Sequence, residues 1–272
     1  MKDSRAVRFL YRTVVGRMIL KPLVNPSLSI FAARLFSARI SARVVPSFTK
    51  KNGIDLSYYE IPANGYASFN DFFTRRMKKE YINIGHGELV SPCCGLLTVS
   101  EINKDLIFNI KNTTYSVKEL LNDKELAEEF YGGTAYIFRL TPAHYHRYSF
   151  CASGSYQYKR FLQGVLHSVQ PVCHEMTKVF VQNSREYTLI DNPKLGKIIQ
   201  MEVGAMLVGK ITNHDFRAGE EVTKGQEKGY FEYGGSSIVV LTKSNDRASN
   251  EILNREPVNG EIPVTIGETI LA

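Results

Sequence analysis

Gly234-Gly235-Ser236-Ser237 runs directly into Ile238-Val239-Val240-Leu241, and this junction constrains the chain more than any other stretch. A glycine pair tolerates backbone angles closed to other residues, and the β-branched run after it reads as a strand. Ser236 is therefore predicted to sit on a tight turn at the mouth of that strand, beside a Gly235 carbonyl that no side chain shields. In that setting its hydroxyl can add to the carbonyl and give an ester. β-Elimination would release the upstream piece, and loss of ammonia from the dehydroalanine left behind would leave a pyruvoyl group at the new N-terminus. The same four residues also fit an ordinary Gly-Gly hairpin turn with two polar neighbours.

From Glu88 onward the chain breaks into short β-rich runs: Leu96 to Ile102, Leu106 to Ile110, Ala135 to Leu140, Val179 to Val181, Ile198 to Val203 and Ile238 to Leu241. Gly, Asn and Asp punctuate them at short intervals, as in a barrel or sandwich. One helix is predicted to interrupt them, over Val117 to Glu129. Upstream, Ser68 is a candidate N-cap with Asp71 three positions on, which predicts a helix from Phe69 to about Lys79. The expectation is an α+β, β-rich fold of one catalytic domain, residues 51–272, preceded by a helical segment, residues 1–50.

That segment is apolar but interrupted by Arg5, Arg8, Arg12, Arg17, Lys21, Arg34, Arg39 and Arg43, so no run approaches the roughly 20 residues that a spanning helix needs. Phe9, Leu10, Val14, Met18 and Ile19 approximate helical spacing within Ala6 to Leu20, and Ile30, Leu35 and Ile40 do so within Leu28 to Val45. A basic amphipathic pair reads as an interfacial anchor on anionic lipid, or as a helical hairpin packed on the main domain. No acidic residue lies between Asp3 and Asp55, which favours lipid. Over the whole chain 34 basic against 27 acidic residues leave a net charge of +7, compatible with an anionic membrane surface or with nucleic acid. The four cysteines, Cys93, Cys94, Cys151 and Cys173, lack the spacing of a disulfide framework or a structural metal, which points to a cytoplasmic setting.

A second constellation is Leu140-Thr141-Pro142-Ala143-His144-Tyr145-His146-Arg147. Histidines at i and i+2 share a side if the segment is a strand, and two imidazoles there could move protons near neutral pH. A metal pair would need a third ligand, and the sequence offers none of clear spacing; a structural role is equally open.

Six ordered blocks now resemble the phosphatidylserine decarboxylase proenzyme family: Phe69-Asn70-Asp71-Phe72-Phe73-Thr74-Arg75-Arg76, Ser91-Pro92 with Gly95, Tyr145-His146-Arg147, Gly164-Val165-Leu166-His167-Ser168-Val169, Val203-Gly204-Ala205-Met206-Leu207-Val208-Gly209 and the Gly-Gly-Ser-Ser segment. The resemblance implies a lipoyl-carrier-like barrel-sandwich core, with Ala218 to Gly225 as one of its hairpins. It also implies cleavage at Gly235-Ser236 into a beta chain, 1–235, and an alpha chain, 236–272. Ser236 would become the covalent pyruvoyl cofactor, with no metal and no pyridoxal phosphate. Through a Schiff base to that group, phosphatidylserine would lose CO₂ and become phosphatidylethanolamine. The implied setting is peripheral, on the cytoplasmic face of a membrane, as a homodimer of cleaved heterodimers with no nucleic-acid partner.

By the same resemblance His146 handles the proton of decarboxylation. The family's cleavage triad is absent here: Cys94 stands at its aspartate, Ser149 at its histidine, and His144 where the motif commonly has Asp. His144 or His146, with Cys94 nearby, is then the expected base for Ser236. The alternatives are a non-cleaving, non-enzymatic lipid-binding relative, or a pyruvoyl decarboxylase of another amino-acid-like substrate.

Overall fold

The computed structural model describes residues 5–110, 113–174, 176–206, 210–234, 236–243 and 248–272, and for Ile30 the backbone alone. Its strands are Leu89–Val90 (β1), Gly95–Glu101 (β2), Ile107–Ile110 (β3), Thr113–Ser116 (β4), Thr134–Leu140 (β5), Arg147–Ser149 (β6), Gly154–Leu162 (β7) and Arg185–Asn192 (β8). They continue with Gly196–Val203 (β9), Ile211–Asn213 (β10), Glu221–Val222 (β11), Glu227–Phe231 (β12), Ser236–Thr242 (β13), Ile262–Val264 (β14) and Thr269–Leu271 (β15). Eight form an open antiparallel sheet in the order β11-β7-β8-β9-β13-β5-β2-β14, and three form a smaller sheet, β10-β12-β6.

β13 lies at the centre of the large sheet, between β9 and β5, and every one of its residues is buried. Its apolar run is continuous because both faces are covered. Ile238 and Val240 enter one core cluster with Tyr148, Phe150 and Phe231 of the smaller-sheet side, so the two sheets face each other across a common interior. Val239 and Leu241 enter the opposite cluster, with Phe108 and Tyr115 of the β3–β4 hairpin and the helices beyond it. Each such side chain contributes about 1.5–3 kcal/mol by leaving water. The expected β-rich α+β fold with sheets packed as a sandwich is what the chain adopts.

Three local expectations differ. The predicted Val117–Glu129 helix is two, Val117–Leu121 and Lys124–Glu128, because Asn122 adopts a left-handed conformation (φ 48°) and Asp123 caps the second piece. Val179 to Val181 belongs to a helical turn, Val179–Gln182, rather than a strand; a short apolar run fits either state, and here it tucks Val179 and Phe180 into the core. The helix begun at Phe69 ends at Phe73, where the Thr74 hydroxyl bonds the Asn70 carbonyl and the chain turns to pair Met77 with Tyr59.

The N-terminal segment folds into Arg5–Arg12 (α1), Val14–Leu23 (α2), Pro26–Ser37 (α3) and Val45–Asn52 (α4), with a 3₁₀ stretch over Arg39–Val44. Thr13 separates the first two by accepting the amide of Gly16, so the single amphipathic stretch read over Ala6 to Leu20 is a bent pair. Val7, Tyr11, Leu20 and Val24 are buried in the main core. Phe36 and Phe48 pack with Phe69, Phe72, Phe73 and Tyr233 in an aromatic cluster, which ties these helices to the turn before β13. Among the described residues no helix is long and apolar enough to cross a membrane.

Candidate active site around Ser236 and His146

Ser236 opens β13 opposite Leu140 of β5. Strand alternation puts its side chain on the face of Ile238 and Val240, toward the interior between the two sheets. It is fully buried, and its Oγ has no hydrogen-bond partner among the described residues. Gly235 lies outside the described residues. Gly234 before it has φ 143°, a conformation that requires glycine. It lines a cavity of about 180 Å³ with Tyr233, Thr141, Ser168, Met206 and Val7. Of the Val203 to Gly209 block, Ala205 and Met206 reach this cavity, while Leu207, Val208 and Gly209 lie outside the described residues.

From Leu140 the chain does not continue as a strand. Thr141 to His144 is a turn, closed by the His144 amide on the Thr141 carbonyl, and β6 begins only at Arg147. The shared strand face expected for His144 and His146 is therefore replaced by two separate environments, because Pro142 supplies no amide to a ladder. His146 is wholly buried: its carbonyl accepts the Phe231 amide at 2.9 Å, and Phe73 packs on its ring at 3.9 Å between centroids and touches Tyr233, three residues before Ser236.

The two imidazoles carry their protons on opposite nitrogens. His146 Nδ1 lies 2.9 Å from the His144 carbonyl, which can only accept, so Nδ1 holds the proton and Nε2 presents its lone pair. That Nε2 is buried without a partner. Burial first, then the charge of Arg75 and the neighbouring His144, hold its pKa well below the usual imidazole value, so it is neutral and basic in form at pH 7. His144 Nδ1 accepts the Thr141 amide at 3.1 Å, which leaves its proton on Nε2. Burial and nearby Arg139 push its pKa down to about 4. His146 thus offers an acceptor, and His144 a donor.

Cys94 is partly buried, and its Sγ accepts the Ile266 amide at 3.5 Å. Burial pushes its thiol up, with Arg75 opposing, so it is neutral and cannot stand in for a carboxylate. Cys93 is wholly buried in the core. Ser149 is buried, and its amide bonds at 2.9 Å to the carbonyl of Pro92, two residues before Cys94.

Arg75 was legible in the Phe-Phe-Thr-Arg-Arg block but carried no expected role. It is 3 % exposed, sandwiched by Tyr59 and Phe72 at 4.3 and 4.8 Å, and its Nη2 shares the His144 carbonyl with His146. The flanking aromatic residues are the only sequence signal that it turns inward.

A sequence profile of the family described as phosphatidylserine decarboxylase matches residues 69–272. The chain is 41 % identical over 268 residues to phosphatidylserine decarboxylase proenzyme 2 of Clostridium acetobutylicum, covering 97 % of this chain and 90 % of that one. It belongs to the phosphatidylserine decarboxylase family. A proenzyme of Ruminiclostridium cellulolyticum is 35 % identical over 273 residues, with 98 % and 91 % covered. One of Clostridium botulinum is 33 % identical over 276 residues, with 98 % and 92 % covered. Membership agrees with the six blocks and gives a proenzyme precedent for the Ser236 corner.

Proposed function

We propose that the chain cuts itself between Gly235 and Ser236 and then decarboxylates phosphatidylserine to phosphatidylethanolamine. The observation that carries this reading is that Ser236 Oγ and His146 Nε2 are both buried without a hydrogen-bond partner among the described residues, and that Phe73, which packs on the His146 ring, also touches Tyr233, three residues before Ser236. Leaving a buried donor or acceptor unpaired costs about 1–3 kcal/mol, which a chain tolerates where the atoms have chemistry to do.

In the cut, His146 Nε2 takes the Ser236 hydroxyl proton as Oγ adds to the Gly235 carbonyl. The carbon–nitrogen bond breaks, the nitrogen of residue 236 takes up that proton, and an ester links the two pieces. Removal of the α-proton of residue 236 breaks its Cβ–O bond and frees 1–235 as a carboxylate. Water then replaces the nitrogen of the dehydroalanine, releasing ammonia. β13 is clamped between β5 and β9, so the short chain stays in the fold after the cut.

The residues around position 236 fit a pyruvoyl group: the side chain is buried, no hydrogen bond fixes it, and a cavity opens beside Gly234. When present, that group supplies a carbonyl that accepts the electron pair left as CO₂ departs. In this reading His146 delivers a proton to the substrate α-carbon. Val7, Leu140, Met206 and Tyr233 give the cavity an apolar side, and Arg139, Thr141, Ser168 and Gln170 a polar one.

The N-terminal helices hold the chain on an anionic membrane surface. Phe9, Val14, Met18, Phe31, Leu35 and Ile40 are 45–72 % exposed, interleaved with exposed arginines. The neutral Cys94 and the serine at 149 favour a second reading, a relative that no longer cuts and serves only to bind lipid. Intact mass separates them. Cutting gives residues 1–235 and a 236–272 piece about 17 Da lighter than its sequence, the loss of ammonia. Ser236→Ala abolishes both, and a folded wild-type chain of full length would overturn the decarboxylase reading.

A further inference from the structure

Arg75 is a buried guanidinium that pairs with no carboxylate among the described residues. Its hydrogen bonds are two long ones to carbonyls, from Nη1 to Phe72 at 3.3 Å and from Nη2 to His144 at 3.4 Å, and its buried Nε has none. Charges removed from water are ordinarily paired, because neutral carbonyls and aromatic faces offset only part of the lost hydration. No described carboxylate forms an ion pair with it: Glu227 is taken by Arg147, Arg76 and His214, Asp71 Oδ2 accepts the Ala67 amide at 2.8 Å, and Cys94 is a thiol at the family's aspartate position. Arg75 also lines a cleft of about 320 Å³ with Arg76 and Arg147, three guanidinium groups against the two carboxylates of Glu60 and Asp71.

We infer that Arg75 binds the phosphodiester of the lipid headgroup. The inference rests on the decarboxylase reading and deepens it by naming how the substrate is held. Arg75 and His146 donate to one carbonyl oxygen, so an anion on Arg75 lies beside the proton-transfer site, and the headgroup phosphorus is only a few bonds from the α-carbon. A planar guanidinium matches phosphate oxygens in pairs. The other candidate anion, the substrate carboxylate, is a poor match: its charge leaves as CO₂ forms, and a cation on it would stabilise the ground state more than the transition state. The phosphodiester keeps its charge throughout. Arg75 therefore contributes equally to ground-state and transition-state binding, and its loss appears in KM.

The experiment uses self-processed protein and a soluble short-chain phosphatidylserine, with processing checked by intact mass. Arg75→Gln is expected to raise KM about 10- to 100-fold with kcat within about twofold, and Arg75→Lys to recover part of the loss. sn-Glycerol 3-phosphate should compete with substrate on the wild type and not on Arg75→Gln. A fall in kcat at unchanged KM would overturn the assignment, as would absence of competition on the wild type, a measurement that needs no variant to fold. Competition by inorganic phosphate without competition by sn-glycerol 3-phosphate would assign the site to the free anion and overturn the headgroup. Should the wild type prove uncut and inactive, the decarboxylase reading fails by itself. Binding of sn-glycerol 3-phosphate, read by a rise in Tm that Arg75→Gln loses, then reports on the cleft alone.

Discussion

His146→Asn separates the base from the fold. The asparagine amide nitrogen can take the place of Nδ1–H against the His144 carbonyl, a bond of 2.9 Å in the native chain, while no lone pair remains where Nε2 stood. What the structure loses is the ring contact with Phe73, about 0.5–1.5 kcal/mol, partly offset because the unpaired Nε2 goes with it. What the reaction loses is a positioned general base, typically 10²- to 10⁴-fold, or about 2.7–5.4 kcal/mol of barrier. The kinetic effect exceeds the stability effect, so the variant should be folded, with Tm within a few degrees of wild type, and uncut for hours to days longer. The assay is intact mass against time after rapid purification. pH supplies a second arm. With a pKa well below the usual value, His146 is already neutral near pH 6, so the cutting rate should be flat from about pH 6 to 8 instead of climbing through about 6.5 as an ordinary imidazole would make it. Cutting of His146→Asn at the wild-type rate, or a rate that climbs steeply through pH 6.5, would refute the reasoning. Of the two bases that the sequence leaves open, the proposal assigns His146 to both steps, because the His144 Nδ1 lone pair already accepts the Thr141 amide.

Met18→Glu and Phe31→Glu, each on an exposed apolar position, should lower sedimentation with anionic vesicles several-fold, and added salt should weaken the wild type; unchanged binding would remove the anchor. Point changes are preferred to deleting residues 1–45, since Val7, Tyr11, Leu20 and Val24 belong to the core. Acid should destabilise the fold in a defined window: His144 has a folded pKa of about 4 against about 6.5 unfolded, so the unfolded chain alone takes the proton between them. Its contribution is complete above about pH 6.5 and is lost toward pH 4, by at most about 3 kcal/mol, and urea titrations of His144→Gln should show a flatter profile. Cys94→Asp places a carboxylate near Arg75, and should speed the cut about tenfold while raising KM for the lipid; a slower cut would count against both roles.

The parts of the fold that were legible are those whose environment is uniform. β13, β9, β5 and β2 are read as apolar runs because the large sheet is buried on both sides at its middle. β7 and β8 escaped the reading since they lie toward the edge and mix Tyr, Lys, Arg and Gln with few apolar residues, a pattern that only a partner strand makes into a sheet. In the candidate site, Ser236 and His146 stand out in the sequence by their motifs. The proton placement was not, because it depends on one hydrogen bond across a turn whose shape the histidine spacing does not reveal. Nor was the isolation of Arg75, which arises from residues far along the chain: Tyr59 on one side and a cysteine in place of an acid at position 94.

An aspartate in a cleavage triad has two effects: it fixes the imidazole tautomer, and it stabilises the cation that forms when the base takes a proton. In this chain the first falls to the His144 carbonyl, which holds Nδ1–H and leaves Nε2 free. Among the described residues no carboxylate beside His146 takes over the second. The closest charge is Arg75, of the same sign as the imidazolium, bonded to the same carbonyl and lowering the His146 pKa. A base so depressed accepts a proton weakly, so the cut should be slower than with a carboxylate in place. The same absence has an opposite consequence afterwards. A carboxylate at position 94 would neutralise Arg75, whereas the thiol leaves the guanidinium uncompensated and available to an anion from the cleft. Self-cleavage happens once per chain and substrate binding at every turnover, so a slow cut is tolerable where a weak hold on the headgroup is not. Cysteine at position 94 thus weakens the cut and leaves Arg75 free for the headgroup.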